Sequence, residues 1–164
     1  MSSLPGLAMD PTLTGVKLAD AESEHFFGIA RIDFAALNFH HPAFRAEHRT
    51  LSTPNVARIR KVYELEGCSR TEEENFISAL VERVDFERAA SFLDRTVRAQ
   101  LHRRPVPDAV PDAIPFLDLS SVDCLCGLHR VEAAREYLDE NDRWWTVKLF
   151  SKGRFCAFLT ASMD

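Results

Sequence analysis

Basic residues are the minority of charge in this chain. Lys and Arg number 20 against 25 Asp and Glu, giving a net charge of −5 and a pI near 5.7, which argues against a general binder of nucleic-acid backbone, since that needs a basic surface. DNA as a partner is therefore not supported by charge. Long apolar runs are missing too, and Met1-Ser2-Ser3-Leu4-Pro5 has neither a basic start nor an apolar core; the expectation is an intracellular protein without a membrane segment, nucleus or cytoplasm left open. Cysteine is sparse. Cys68, Cys124, Cys126 and Cys156 form no dense framework, Cys124 and Cys126 are too close to bridge within a strand, and all are read as reduced thiols. A zinc site needs a second pair of ligands, so no metal is expected. Internal repeats and low-complexity segments are absent.

What is there suffices for one core. At 164 residues with 46% hydrophobic content, a single domain buries about two thirds of its unfolded surface. Residues 1–24 mix Gly, Pro, Ser and Thr without periodicity and read as a flexible leader. Phe26 to Phe34 alternates as a strand. Asn38-Phe39-His40-His41-Pro42 is a loop whose paired histidines suit solvent better than a metal. Arg45, His48 and Arg49 follow it.

Ser52-Thr53-Pro54-Asn55 opens a helix, with Thr53 as cap, Pro54 at the first helical position, Val56, Ile59 and Tyr63 as its apolar stripe, and Gly67 as its end. Thr71 through Val81 is ambiguous by its residues, the capping-box spacing of Thr71 and Glu74 favouring a helix. Asp85 to Leu101 places Phe86, Ala90, Leu93, Val97 and Leu101 at helical core spacing. Pro105, Pro107, Pro111 and Pro115 mark an extended connector. Phe116 to Leu119 is a short extended element, and Ser120-Ser121 turns the chain into a central strand. In that strand Cys124 and Cys126 share a face. A helix over 129–138 buries Val131, Ala134 and Leu138, and Trp144 to Phe150 returns as a strand with Trp145, Val147 and Leu149 on one face. Phe155 to Leu159 is a candidate edge strand in a C-terminal tail, 151–164.

The chemistry is expected where the strand turns into the helix, at Gly127-Leu128-His129-Arg130. Gly127 permits a sharp turn and close approach of a ligand, and the first N–H groups of the helix lack partners and favour an anion. His129 and Arg130 are cations placed where the helix dipole disfavours them. A bound phosphate would explain both, Arg130 through its planar fork and His129 as hydrogen-bond donor or proton carrier. The plainer reading pairs Arg130 with a nearby carboxylate and leaves His129 on the surface or packed.

Gly127-Leu128-His129-Arg130-Val131-Glu132-Ala133-Ala134, between an apolar strand and Trp144-Trp145-Thr146-Val147-Lys148-Leu149-Phe150, resembles the glycine-x-(histidine or arginine)-arginine-x-x-alanine box of the ParB/sulfiredoxin-like superfamily. More closely, Gly28-Ile29-Ala30-Arg31-Ile32-Asp33-Phe34, Tyr63-Glu64-Leu65-Glu66-Gly67-Cys68 and Cys124 through Arg135 to Arg143-Trp144-Trp145-Thr146-Val147 resemble a large fungal family of unknown function whose genes often travel in giant mobile elements. The resemblance implies an α+β fold over 25–150, a small domain with a mixed sheet and helices packed on it, and it places a strand at Phe76 to Val81. It also implies a nucleotide, CTP or ATP, held with Mg²⁺ at Gly127, Leu128, His129 and Arg130. Sulfiredoxins carry their reactive cysteine where this chain has Leu128, so sulfinic acid repair is not expected. Members of the fungal family usually continue well beyond the tryptophan-rich strand, which leaves a fragment, a decayed copy and a minimal module as alternatives.

Three functions compete: a nucleotide-binding module; a phosphotransfer or nuclease-type enzyme with His129 as catalytic acid or base and Glu132 or Asp123 as carboxylate; and a truncated, non-catalytic member acting as an interaction scaffold.

Overall fold

The computed structural model describes residues 26–41, 50–101 and 114–152. The expected leader 1–24, the arginines and histidine at 45–49, most of the proline connector and the candidate strand 155–159 lie outside the described residues. The described residues form a five-stranded sheet with helices packed on it, an α+β fold. Its strands are β1 (Phe26–Asp33), β2 (Leu37–Asn38), β3 (Ile77–Val81), β4 (Val122–Cys124) and β5 (Trp144–Ser151), and its α-helices are α1 (Thr53–Glu66), α2 (Arg83–Ala90), α3 (Arg95–Gln100) and α4 (Leu128–Tyr137).

The spatial order is β1-β5-β3-β4-β2. β5 runs antiparallel to β1 and parallel to β3, β3 runs antiparallel to β4, and β2 runs parallel to β4. The middle strand is thus β3, and the Cys124 strand expected at the centre stands one place from the edge. It stops at Cys124, with residues 125–126 in a bend. Cys126 is therefore not a strand partner of Cys124.

Alternation fixes the faces. In register, Ala30 and Ile32 of β1 face the same way as Val147 and Trp145 of β5, Ile77 and Ala79 of β3, and Cys124 of β4. All are buried, in one cluster with Val56 and Tyr63 of α1 and Val131, Ala133 and Ala134 of α4. Burying this apolar face is the main driving force for the fold. The opposite face carries Arg31, Thr146, Lys148, Ser78 and Asp123. Gly28 allows a close approach on this scaffold: a Cβ there would stand 2.6 Å from the Leu101 carbonyl oxygen, which accepts the Ile29 N–H at 2.8 Å.

Two helices depart from expectation. Ser52, not Thr53, caps α1, its hydroxyl accepting the Asn55 N–H at 3.4 Å. The single helix expected over 85–101 is two, because Asp94 caps a new start by accepting the Val97 N–H at 2.9 Å. The break leaves Phe92 84% exposed while Phe86, Ala90 and Leu101 stay in the core. The Thr71–Glu74 capping box yields only a 3-10 turn at Glu73–Asn75 ahead of β3.

Candidate functional site

Gly127 caps α4 in the left-handed conformation, φ 95° and ψ 8°, and no side chain caps this helix. The position is closed to other residues, since a Cβ would lie 2.7 Å from Ile77 Cγ1 in addition to the unfavourable φ. The N–H groups of Leu128, His129 and Arg130 belong to the first turn, where no intrahelical acceptor exists. Three consecutive residues therefore present backbone donors at one helix end.

β2 and β4 lie side by side and parallel, Leu37 against Val122 and Asn38 against Asp123. β2 precedes α1 in the chain and β4 precedes α4. The two helix starts meet: the Ser52 N–H, at the N-cap of α1, donates to His129 Nε2 at 3.1 Å. Because Nε2 accepts, the ring proton sits on Nδ1. Two positive dipole ends thus converge at the C-terminal ends of a parallel strand pair.

Arg130 turns inward. Its Nη1 donates to the Asn75 carbonyl at 2.8 Å and its Nη2 lies 3.9 Å from Cys126 Sγ. The same Asn75 carbonyl accepts from Trp145 Nε1 at 2.8 Å. The Arg130 carbonyl in turn accepts from the Tyr63 hydroxyl at 3.3 Å, tying α4 to α1. Arg130 thus braces the turn from behind, while His129 stands at the junction of the helices. Neither Asn75 nor Ser52 was singled out from the sequence as a member of this junction; a backbone carbonyl or N–H carries no signal in the residue type.

By the residues matched, 25–161, the chain fits the family model described as "Protein of unknown function (DUF3723) N-terminal domain". The chain belongs to this family. No curated protein and no solved structure shows a match.

The carboxylates considered with His129 are engaged elsewhere. Glu132 pairs with Arg135 at 3.6 Å. Asp123, 5% exposed, lies on the opposite face of the sheet from α4, its Oδ1 accepting from Asn38 Nδ2 at 2.8 Å and its Oδ2 standing 2.8 Å from Lys152 Nζ and 3.9 Å from His41 Nε2. Cys68, Cys124 and Cys126 form no disulfide. Burial pushes Cys68 up to about 11, the Arg70 guanidinium opposing it. It pushes Cys124 higher still, with Cys126 and Asp123 adding to the effect. Thiols so held are poor nucleophiles at neutral pH. Among the described residues no three His, Cys, Asp or Glu side chains are grouped to hold a metal ion, and no helix is long and apolar enough to cross a membrane.

Proposed function

We propose that this DUF3723 N-terminal domain binds a phosphate group, carried by a nucleotide such as CTP or ATP with Mg²⁺, at the Gly127–Arg130 turn. The observation that carries the reading is the meeting of the two helix starts through Ser52 and His129. An anion placed there faces the first-turn N–H groups of α4, the positive ends of two helices and the Nδ1–H of His129. The left-handed Gly127 gives the close backbone approach that a phosphate needs. The likeness to the ParB/sulfiredoxin-like box adds the nucleotide to the phosphate. Binding, not turnover, is proposed, since Nε2 of His129 is already an acceptor for Ser52 and Glu132 is paired.

The test is isothermal titration with CTP, ATP and GTP, each with and without Mg²⁺, on the wild type and on His129→Ala. His129→Ala is preferred to Arg130→Ala because Arg130 braces Asn75 and its loss would confound folding with binding. Saturable binding that weakens at least tenfold in folded His129→Ala supports the site. A folded wild type that binds none of the three sinks the proposal.

A further inference from the structure

On the face of the sheet away from α1 and α4, Phe116, Arg31 and Thr146 form a row. Phe116 bridges Arg31 in parallel, and Arg31 is the register partner of Thr146. Directly opposed residues in a sheet point the same way, with Cβ atoms in near contact. The Arg31 guanidinium is held from several sides. Its Nε donates to the Ile114 carbonyl at 2.7 Å, and its Cζ lies 5.3 Å from the centroid of the Trp144 ring and 5.9 Å from that of Phe116.

Trp144 carries a second guanidinium, and the contrast is informative. Arg70 stacks on the same ring with Cζ 3.7 Å from the centroid. Its Nη2 is 2.8 Å from Asp142 Oδ2, and its Nη1 donates to the Asp142 carbonyl at 2.7 Å and the Trp144 carbonyl at 3.2 Å. Arg70 has its counter-charge within the chain. Arg31 has none: among the described residues its Nη groups meet no acceptor and no carboxylate. Thr146 beside it is fully buried, with Oγ1 lacking any hydrogen-bond partner. Buried polar groups are ordinarily satisfied. The row therefore combines an immobilised fork of donors, a hydroxyl with unmet capacity and an aromatic shelf, since Phe116 is 43% exposed.

We infer that Arg31 is a receptor for a carboxylate attached to an apolar or aromatic group. The planar fork matches a carboxylate through two parallel bonds, and its orientation is set before the ligand arrives. Phe116 gives the ligand's apolar part a surface. Asp33, exposed at the next position of β1 on this face, favours a singly charged carboxylate over a doubly charged phosphate by repulsion. This site is separate from the Gly127 turn, and its occupation does not depend on nucleotide binding.

The two indole N–H signals provide the test. Trp144 Nε1 donates to Asp142 beside the row, whereas Trp145 Nε1 donates to Asn75 on the other side of the sheet and serves as an internal control. The full chain is titrated with benzoate, acetate, inorganic phosphate and an end-blocked Phe-Glu-Phe peptide while both signals are followed by NMR. Saturable shifts of the Trp144 signal with benzoate or the peptide, stronger than with acetate and absent from Trp145, are expected; which of the two binds more tightly tells a free acid from a peptide carboxylate. Arg31→Lys keeps the charge but loses the fork and is expected to weaken binding at least tenfold. Phe116→Ala, which removes the exposed aromatic shelf, is expected to weaken benzoate binding severalfold and serves if Arg31→Lys does not fold. No shift in the wild type, equal response to phosphate, or binding unchanged in the folded variants overturns the inference.

Discussion

At the residue scale, Gly127 and Thr146 make opposite predictions. Gly127→Ala forces a Cβ into the left-handed region, at about 1–2 kcal/mol, and into Ile77, which lies 2.7 Å away and adds overpacking of similar size. Urea denaturation should show a loss of about 2–4 kcal/mol; an unchanged midpoint would mean that the turn is not built as described. Thr146→Val removes a buried hydroxyl that has no partner and should raise stability by about 1 kcal/mol. A loss instead would show that the hydroxyl is bonded. The first position was legible in the sequence, because a lone glycine between an apolar strand and an amphipathic run can do little else. The second was not, since an unsatisfied threonine looks like any other until its neighbours are placed.

At the scale of elements, Arg130 shows where reading by type reaches its limit. A cation in the first turn of a helix asks for a reason, and the sequence suggested a phosphate. The fold supplies a further one, the Asn75 carbonyl that Arg130 shares with Trp145. Arg130→Ala should therefore destabilise the ligand-free domain by about 1.5–3 kcal/mol, the range for a hydrogen bond from a charged donor. Arg130→Lys, with a shorter reach and no fork, should recover only part of this in the same denaturation series. If Arg130→Ala is neutral without ligand, the brace is not structural.

Strands β1 and β5 and helices α1 and α4 were readable because alternation or a 3.6-residue stripe coincides with true burial; β3, buried at nearly every position, was placed only by the family resemblance against a capping box that favours a helix. The helix over 85–101 misled because its apolar spacing continues across Asp94, and the periodicity does not register that a carboxylate can restart a helix. Strand order was illegible for a different reason. β5 is the last of the described strands yet lies between the first and third of them, and nothing local encodes that placement.

For the whole molecule, buried acids of weak strength set an alkaline limit. Burial is the leading cause that raises Cys68, Cys124 and Tyr63 alike. Each holds its proton more tightly folded than unfolded, so stability is fully present below the ordinary values and falls as pH rises. For Cys68 the window opens at its ordinary 9.0 and closes at about 11. Urea midpoints should be flat up to 9.0 and decline towards about 11, and Cys68→Ser should show a shallower decline. Midpoints that rise in this window would contradict the burial of these groups.

The position of β5 also sets a timetable for synthesis. Among the described strands β1 pairs along its length with β5 alone, apart from the isolated bridge of Arg31 to Phe116, and β5 joins it to β3. Until residues 144–151 have left the ribosome, β1 has only the short bridge to Phe116, and the β5-facing edge of β3 stands open. The sheet closes through a pairing between the two ends of the described fold, an entropically slow step of high contact order. Until β5 emerges the nascent chain therefore exposes incompletely paired, apolar strands, the state in which chaperones or neighbouring copies compete with folding.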